Sequence, residues 1–161
     1  MTDTKDLRDR LRKRFWSAMN GIVKPVLRSS AHPAFSGRFM LLTYEGRRTG
    51  RTYTIPVEFF LRDGGDVWAL GQKGGWTRNM RGGREATLRI RGREFRVTGA
   101  AVEEAKEVAD MMAELLRERG PRAFLGHGLG LPGDREATHE EVMEAASGQC
   151  MVRFRVLRET T

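Results

Sequence analysis

The chain contains one cysteine, Cys150, in 161 residues. A lone thiol cannot close an internal disulfide, which excludes the cross-linked secreted scaffolds and fits a reducing compartment. No apolar run approaches the roughly 18 residues that a membrane-spanning helix needs. The opening Met1-Thr-Asp-Thr-Lys5 lacks the apolar core of a secretory signal, so a cytoplasmic location is expected. The three histidines, His32, His127 and His139, show no paired ligand spacing, and no metal site is expected. Zinc-finger spacings and RNP-type aromatic motifs are missing, which removes the common nucleic-acid modules. With no internal repeat, low-complexity run or long linker, residues 1–161 are expected to form one domain.

What remains is an ordinary globular composition, 39% hydrophobic and 31% charged, enough to bury a core at this length. The net charge is +8 and the pI about 10.5. Such a balance favours an anionic partner (nucleic acid, an acidic membrane surface or a phosphorylated small molecule), or reflects only a preference for arginine.

The first segment, about residues 4–24, reads as a helix. Leu7, Leu11, Phe15, Met19 and Ile22 recur at spacings of three and four, with Arg8, Arg10, Arg12, Lys13 and Arg14 mostly elsewhere on the wheel. Such a helix can pack on the rest of the domain or lie in a membrane interface. Pro25 and the Ser29–Pro33 stretch end it. From Phe39 the texture changes to short β-like runs: Phe39–Tyr44, Thr52–Leu61, Val67–Leu70, Ala86–Arg91 and Phe95–Thr98. Helical patterns return at Glu103–Arg119 and Glu136–Ala146, and a final strand carries Val152, Phe154 and Val156 on one face. About six sequential antiparallel strands, at about 38–101 and 150–158, with a helical segment at about 103–147, suit a closed or partly closed barrel.

Two segments stand out chemically. Gly46-Arg-Arg-Thr-Gly-Arg51 lies between two predicted strands. Its glycines permit turns that expose consecutive N–H groups, an anion-binding concavity. Arg47, Arg48 and Arg51 add guanidinium forks suited to phosphate or carboxylate, and Thr49 adds a hydroxyl. A charged hairpin loop with no ligand fits the same residues. The segment is not a Walker loop, since the glycine spacing and Lys-Ser/Thr ending are absent. In Gln72-Lys-Gly-Gly-Trp-Thr-Arg-Asn-Met80, a short helix over 76–80 would bring Trp76 and Asn79 together. Trp76 could cover an aromatic ring, Asn79 could bond a heterocycle edge and Lys73 could meet an anion. Alternatively Trp76 is core and Asn79 caps or solvates. Gly128-Leu-Gly-Leu-Pro-Gly133 fits the letter of a dinucleotide fingerprint, but it follows a helix and contains a proline, so it reads as a loop.

Taken in order, Met40-Leu-Leu-Thr-Tyr44, Gly46-Arg-Arg-Thr-Gly50, Thr54-Ile-Pro-Val57, Lys73-Gly-Gly-Trp-Thr-Arg-Asn79 and Arg91-Gly-Arg-Glu-Phe95 resemble the deazaflavin-dependent nitroreductase family. The resemblance covers residues 34–102, and Pro25–Ser29 through Gly37-Arg38 is similar as well. It implies a mainly β fold of the α+β type: a six-stranded antiparallel split β-barrel related to the FMN-binding pyridoxamine-phosphate-oxidase-like proteins, with an N-terminal helix and C-terminal helices around it. It also implies reduced coenzyme F-420 as hydride donor to a small hydrophobic acceptor such as a quinone or nitro compound, with FMN as the alternative cofactor. On that reading Arg47, Arg48, Thr49, Gly50 and Arg51 hold the phosphate and acidic tail. Thr54, Ile55, Pro56, Lys73 and Gly74 flank the deazaflavin, beside Trp76 and Asn79. The ring carries the hydride, so no acid–base pair is required of the protein, and none is found in the sequence. The loop between Lys-Gly-Gly and Trp is shorter here than is usual in the family, and residues 121–147 match no motif. A non-catalytic barrel that sequesters a cofactor or fatty acid remains the alternative to an enzyme, as a monomer or a homodimer.

Overall fold

A computed structural model describes residues 38–160, with the backbone alone at 158–160. The expected helix at about 4–24 lies outside the described residues. Seven strands, not six, form one antiparallel sheet: β1 (Phe39–Glu45), β2 (Thr52–Glu58), β3 (Phe60–Leu61), β4 (Val67–Gln72), β5 (Arg84–Ile90), β6 (Arg93–Val102) and β7 (Gln149–Thr160). The extra strand arises because the run expected at Thr52–Leu61 divides at Phe59. Upstream of it β2 pairs with β1, Leu42 facing Ile55; downstream, β3 pairs with β4, Phe60 facing Trp68.

That division determines the shape. The strand order is β2-β1-β5-β6-β7-β4-β3, so the two outermost strands are separated by one residue of chain. In a flat seven-stranded sheet the outer strands would lie roughly 29 Å apart at about 4.8 Å per spacing, whereas the two residue steps from Glu58 to Phe60 reach at most about 7 Å. The sheet must therefore curl until its edges meet at Phe59, giving a half-barrel. Pro56 sits in β2, which pairs on one side only, the kind of strand in which a residue without an N–H is tolerated.

Alternation along the strands separates two cores. Met40, Leu42, Val57, Phe59, Leu88, Val97, Val152 and Phe154 pack in one buried cluster within the curl. Phe60, Leu70 and Met151 belong to the second. Two helices supply the rest of that layer: α1 (Ala105–Arg119) presents Val108, Met111, Met112 and Leu115, and α2 (His139–Ala146) presents Val142, Ala145 and Ala146. Both begin later than the sequence pattern suggests, because Glu104 and Thr138 act as caps outside them. The Glu104 carboxylate accepts from the Lys106 and Glu107 amides; Thr138 and Glu141 form a reciprocal capping box. The glycine-rich 126–133 loop lies between the helices. Arg62 joins the β3 end to α1, bonding Glu114 and Glu118 with its guanidinium 4.4 Å over Trp68.

Beside Phe59 a buried polar group fixes the closure. Glu58 Oε1 accepts from Arg38 Nη2 at 2.9 Å, and Glu58 Oε2 lies 2.6 Å from His127 Nε2. Burial raises the Glu58 pKa, but hydrogen bonds and charge from His127 and Arg38 together outweigh it and hold the carboxyl below its ordinary 4.5. A depressed folded value means that this stabilisation is complete above pH 4.5 and is lost as pH falls through the folded value. Acid unfolding of the wild type should thus steepen below that pH, and Glu58→Gln should remove the extra steepness; parallel pH-dependent denaturant curves for the two would contradict this. A second prediction concerns the core. Phe154 is fully buried, so Phe154→Ala should cost about 3–5 kcal/mol, read as a lower denaturation midpoint.

Candidate functional site

Antiparallel alternation places several loops at one end of the half-barrel. The ends of β1, β4 and β6 and the starts of β2, β5 and β7 share this pole, as the registers Glu45–Thr52, Gln72–Gln149 and Val102–Met151 require. The Gly46–Arg51 loop joins β1 to β2 there. A short 3-10 helix at Trp76–Met80, where a short helix is expected, lies between β4 and β5.

These two sequence signals meet in space. The Arg47 amide donates to Asn79 Oδ1 at 2.9 Å, and Asn79 Nδ2 donates to the Trp76 carbonyl at 2.9 Å. Asn79 is buried, so its side chain ties the arginine loop to the 3-10 helix. Arg47 Nη1 also donates to the Arg78 carbonyl at 3.4 Å. Within the loop, the Gly46 amide donates to the Arg51 carbonyl at 2.8 Å and the Gly50 amide to the Gly46 carbonyl at 2.9 Å. The Arg51 amide donates to Thr49 Oγ1 at 3.3 Å. Gly50 takes φ +66° with nothing near a would-be Cβ, a turn that glycine makes without strain. Three loop amides are thereby consumed within the loop and a fourth, that of Arg47, by Asn79. The concavity of successive free N–H groups is narrower than the glycines suggest, and the anion-facing donors are chiefly side chains.

Those side chains are exposed at Arg47, Arg48, Thr49 and Arg51. Among the described residues, the guanidinium groups of Arg47, Arg48, Arg51, Arg78 and Arg84 make no ion pair with an acid. Arg81 is neutralised by Glu103 at 2.9 Å. An uncompensated set of cations at one pole fits a ligand carrying a phosphate and further carboxylates. Sequence reasoning missed Arg78 and Arg84. Arg78 lies within the Gln72–Met80 segment beside the residues that carry its motif, and Arg84 opens β5, which only the sheet register brings to this end.

The remaining expected residues fall around this centre in different ways. Thr54 Oγ1 lies 3.0 Å from Thr43 Oγ1 across the β1–β2 ladder. Ile55 packs on the inner core, and Pro56 is buried. Trp76 is half-buried and stacks on Phe154, with centroids 6.4 Å apart and planes within 7°. At Gly71, a Cβ would come within 2.8 Å of Trp76 Nε1 and 2.6 Å of Thr77 Cγ2, so the 3-10 helix seats directly on β4. Lys73 and Gly74 share the pole, but Lys73 Nζ donates to the Glu103 carbonyl at 3.2 Å, away from the arginine loop's own bonds. Tyr53 stacks on Tyr44 at 5.6 Å and its hydroxyl lies 3.4 Å from Thr49 Oγ1. Burial, reinforced by Tyr53 and opposed by Arg78, pushes the Tyr44 phenol up, so it stays neutral at physiological pH.

A half-barrel with a cluster of arginines at one pole is the class of protein these features define. The family is resolved by the sequence itself. The F420H(2)-dependent quinone reductase family matches residues 27–121, and the chain belongs to that family, whose cofactor is coenzyme F-420 and whose chemistry is oxidoreduction. No curated protein gives a significant match. Among solved structures, a pyridoxamine 5'-phosphate oxidase-related, FMN binding protein from Nostoc punctiforme is 14% identical, covering 88% of this chain and 82% of its own at a TM-score of 0.49. A conserved hypothetical protein from Mycobacterium tuberculosis is 15% identical, covering 81% and 82% at 0.49. The general stress FMN/FAD binding protein of Xanthomonas citri is 13% identical, covering 94% and 87% at 0.45. Among the described residues no helix is long and apolar enough to cross a membrane.

The tie through Asn79 generates a direct test. Asn79→Ala leaves the Arg47 amide and the Trp76 carbonyl without their partner, at a cost of about 1–3 kcal/mol. Hydrogen exchange at the Arg47 amide should accelerate in that variant; exchange at the wild-type rate would show that the loop holds its shape without the tie.

Proposed function

We propose that this protein transfers a hydride from reduced coenzyme F-420 to a small hydrophobic acceptor, a quinone in the first instance and a nitro compound as a substitute. The observation that supports the reading is the joining of Gly46–Arg51 to Trp76–Asn79 by Asn79, which sets unpaired guanidiniums at one end of the half-barrel. When bound, the reduced deazaflavin supplies the hydride, and the protein supplies position and exclusion of water.

In this reading Arg47, Arg48 and Arg51 bind the phosphate and acidic tail by charge-assisted hydrogen bonds, helped by the Thr49 hydroxyl and the open backbone at Gly50. Arg78 and Arg84 extend the same field. Thr54, Ile55 and Pro56 form the strand beside the ring, and Lys73 and Gly74 bound the same pole. Trp76, held against Phe154, and Asn79, bonded on both sides of its amide, position the loop more than they contact the cofactor. Tyr53, exposed by 38%, is the phenol nearest this loop. We further propose one domain over residues 1–161 acting in the cytoplasm.

The double variant Arg47→Ala/Arg48→Ala tests the assignment. Losing two charge-assisted contacts should weaken F-420 binding on the order of 100-fold, with circular dichroism unchanged because both side chains are exposed. An affinity equal to wild type would remove the arginine loop from the site.

A further inference from the structure

We propose that the pole opposite the arginine loop carries a second ligand site, which takes a small organic carboxylate. The site is a cleft of about 450 Å³ where the end of β2 meets the end of α1, lined by Arg38, Glu58, Phe60, Arg119, Arg122 and Leu125 among others. Its size lies within the range of small-molecule pockets.

The charges within it do not balance. Glu58 is the one acid on the lining, and both of its oxygens are engaged, Oε1 by Arg38 and Oε2 by His127. Among the described residues Arg119 makes no ion pair with an acid, although the Glu118 carboxylate lies in its field; Nη2 donates to the Leu61 carbonyl at 3.3 Å and its guanidinium stands 5.5 Å over the Phe60 ring. Those contacts hold the fork in place, and Glu118 is itself bonded to Arg62, so the charge of Arg119 is only partly offset. Arg122 is exposed and makes no ion pair among the described residues. Three guanidiniums therefore face one carboxylate that two neighbours already share. A pre-held guanidinium fork matches a carboxylate in bidentate geometry.

The wall of the cleft favours an organic anion over an inorganic one. Leu125 is 55% exposed, the most exposed large apolar residue described, and it lies beside the cations. The turn that presents it is fixed, because the Leu125 amide bonds the Arg122 carbonyl at 3.0 Å while Phe124 packs edge-on against Phe60 beneath. A carboxylate on Arg119 and Arg122 with its apolar body on Leu125 satisfies both halves of the cleft. This site is independent of F-420, whose proposed contacts lie at the other end of the sheet.

The test is a titration of isotope-labelled full-length protein with benzoate, at constant ionic strength to hold screening fixed, followed by amide chemical shifts. The expected result is saturable shifts at Phe60, Ala123 and Leu125, with inorganic phosphate binding severalfold more weakly. Arg119→Gln/Arg122→Gln should weaken benzoate about tenfold, while F-420 affinity stays at the wild-type value. Arg122→Gln alone, which touches no structural contact, should weaken it severalfold and serves if the double variant fails to fold. Absence of saturable shifts, shifts unaltered in Arg122→Gln, or phosphate binding as tightly as benzoate would each overturn the proposal.

Discussion

Everything in this structure depends on the closure of the sheet at Phe59. Because β2 and β3 are consecutive in the chain and outermost in the sheet, no flat or open arrangement is available to the sequence. Closure creates an inside, where Phe59 and Phe154 pack, and an outer face, where Phe60 meets α1 and α2. It also creates two poles. Among the described residues, arginines that make no ion pair stand at both, near loops that closure brings together, and the Glu58 carboxylate that fixes the seam stands between Arg38 and His127.

At the pole that carries the arginine loop the controlling feature is a single buried amide. Asn79 uses its carbonyl on the Arg47 N–H and its amino group on the Trp76 carbonyl. A loop of exposed arginines has no intrinsic reason to hold one shape, since its charges repel and its side chains are costly to order. Bonding its backbone to the 3-10 helix, which itself seats on Gly71 and Phe154, transfers the rigidity of the sheet to the donors. Preorganisation of that kind lets a surface loop bind an anion strongly.

Much of this was legible in the residues. Strict alternation at Ala86, Leu88 and Ile90 reported the inner face of β5, and the Val108–Leu115 spacing reported the buried face of α1; both hold. The ordered motifs from Met40 to Phe95 pointed to the family that residues 27–121 match. What could not be read was long-range. Thr52–Leu61 looks like one strand because nothing local marks Phe59 as the point where pairing changes partner. Asn79 reads either as a ligand-facing amide or as a cap, and only its bond to a residue 32 positions away shows that it ties two loops together. Arg38, Glu58 and His127 are separated by 20 and 69 positions, and no spacing rule connects them.

The most direct measurement is a fluorescence-followed titration of the purified protein with coenzyme F-420, with FMN run alongside under the same ionic strength. The account predicts saturable binding of the deazaflavin and markedly weaker binding of FMN. No saturable binding of F-420, or FMN bound as tightly, would contradict the assignment of the arginine loop to this cofactor.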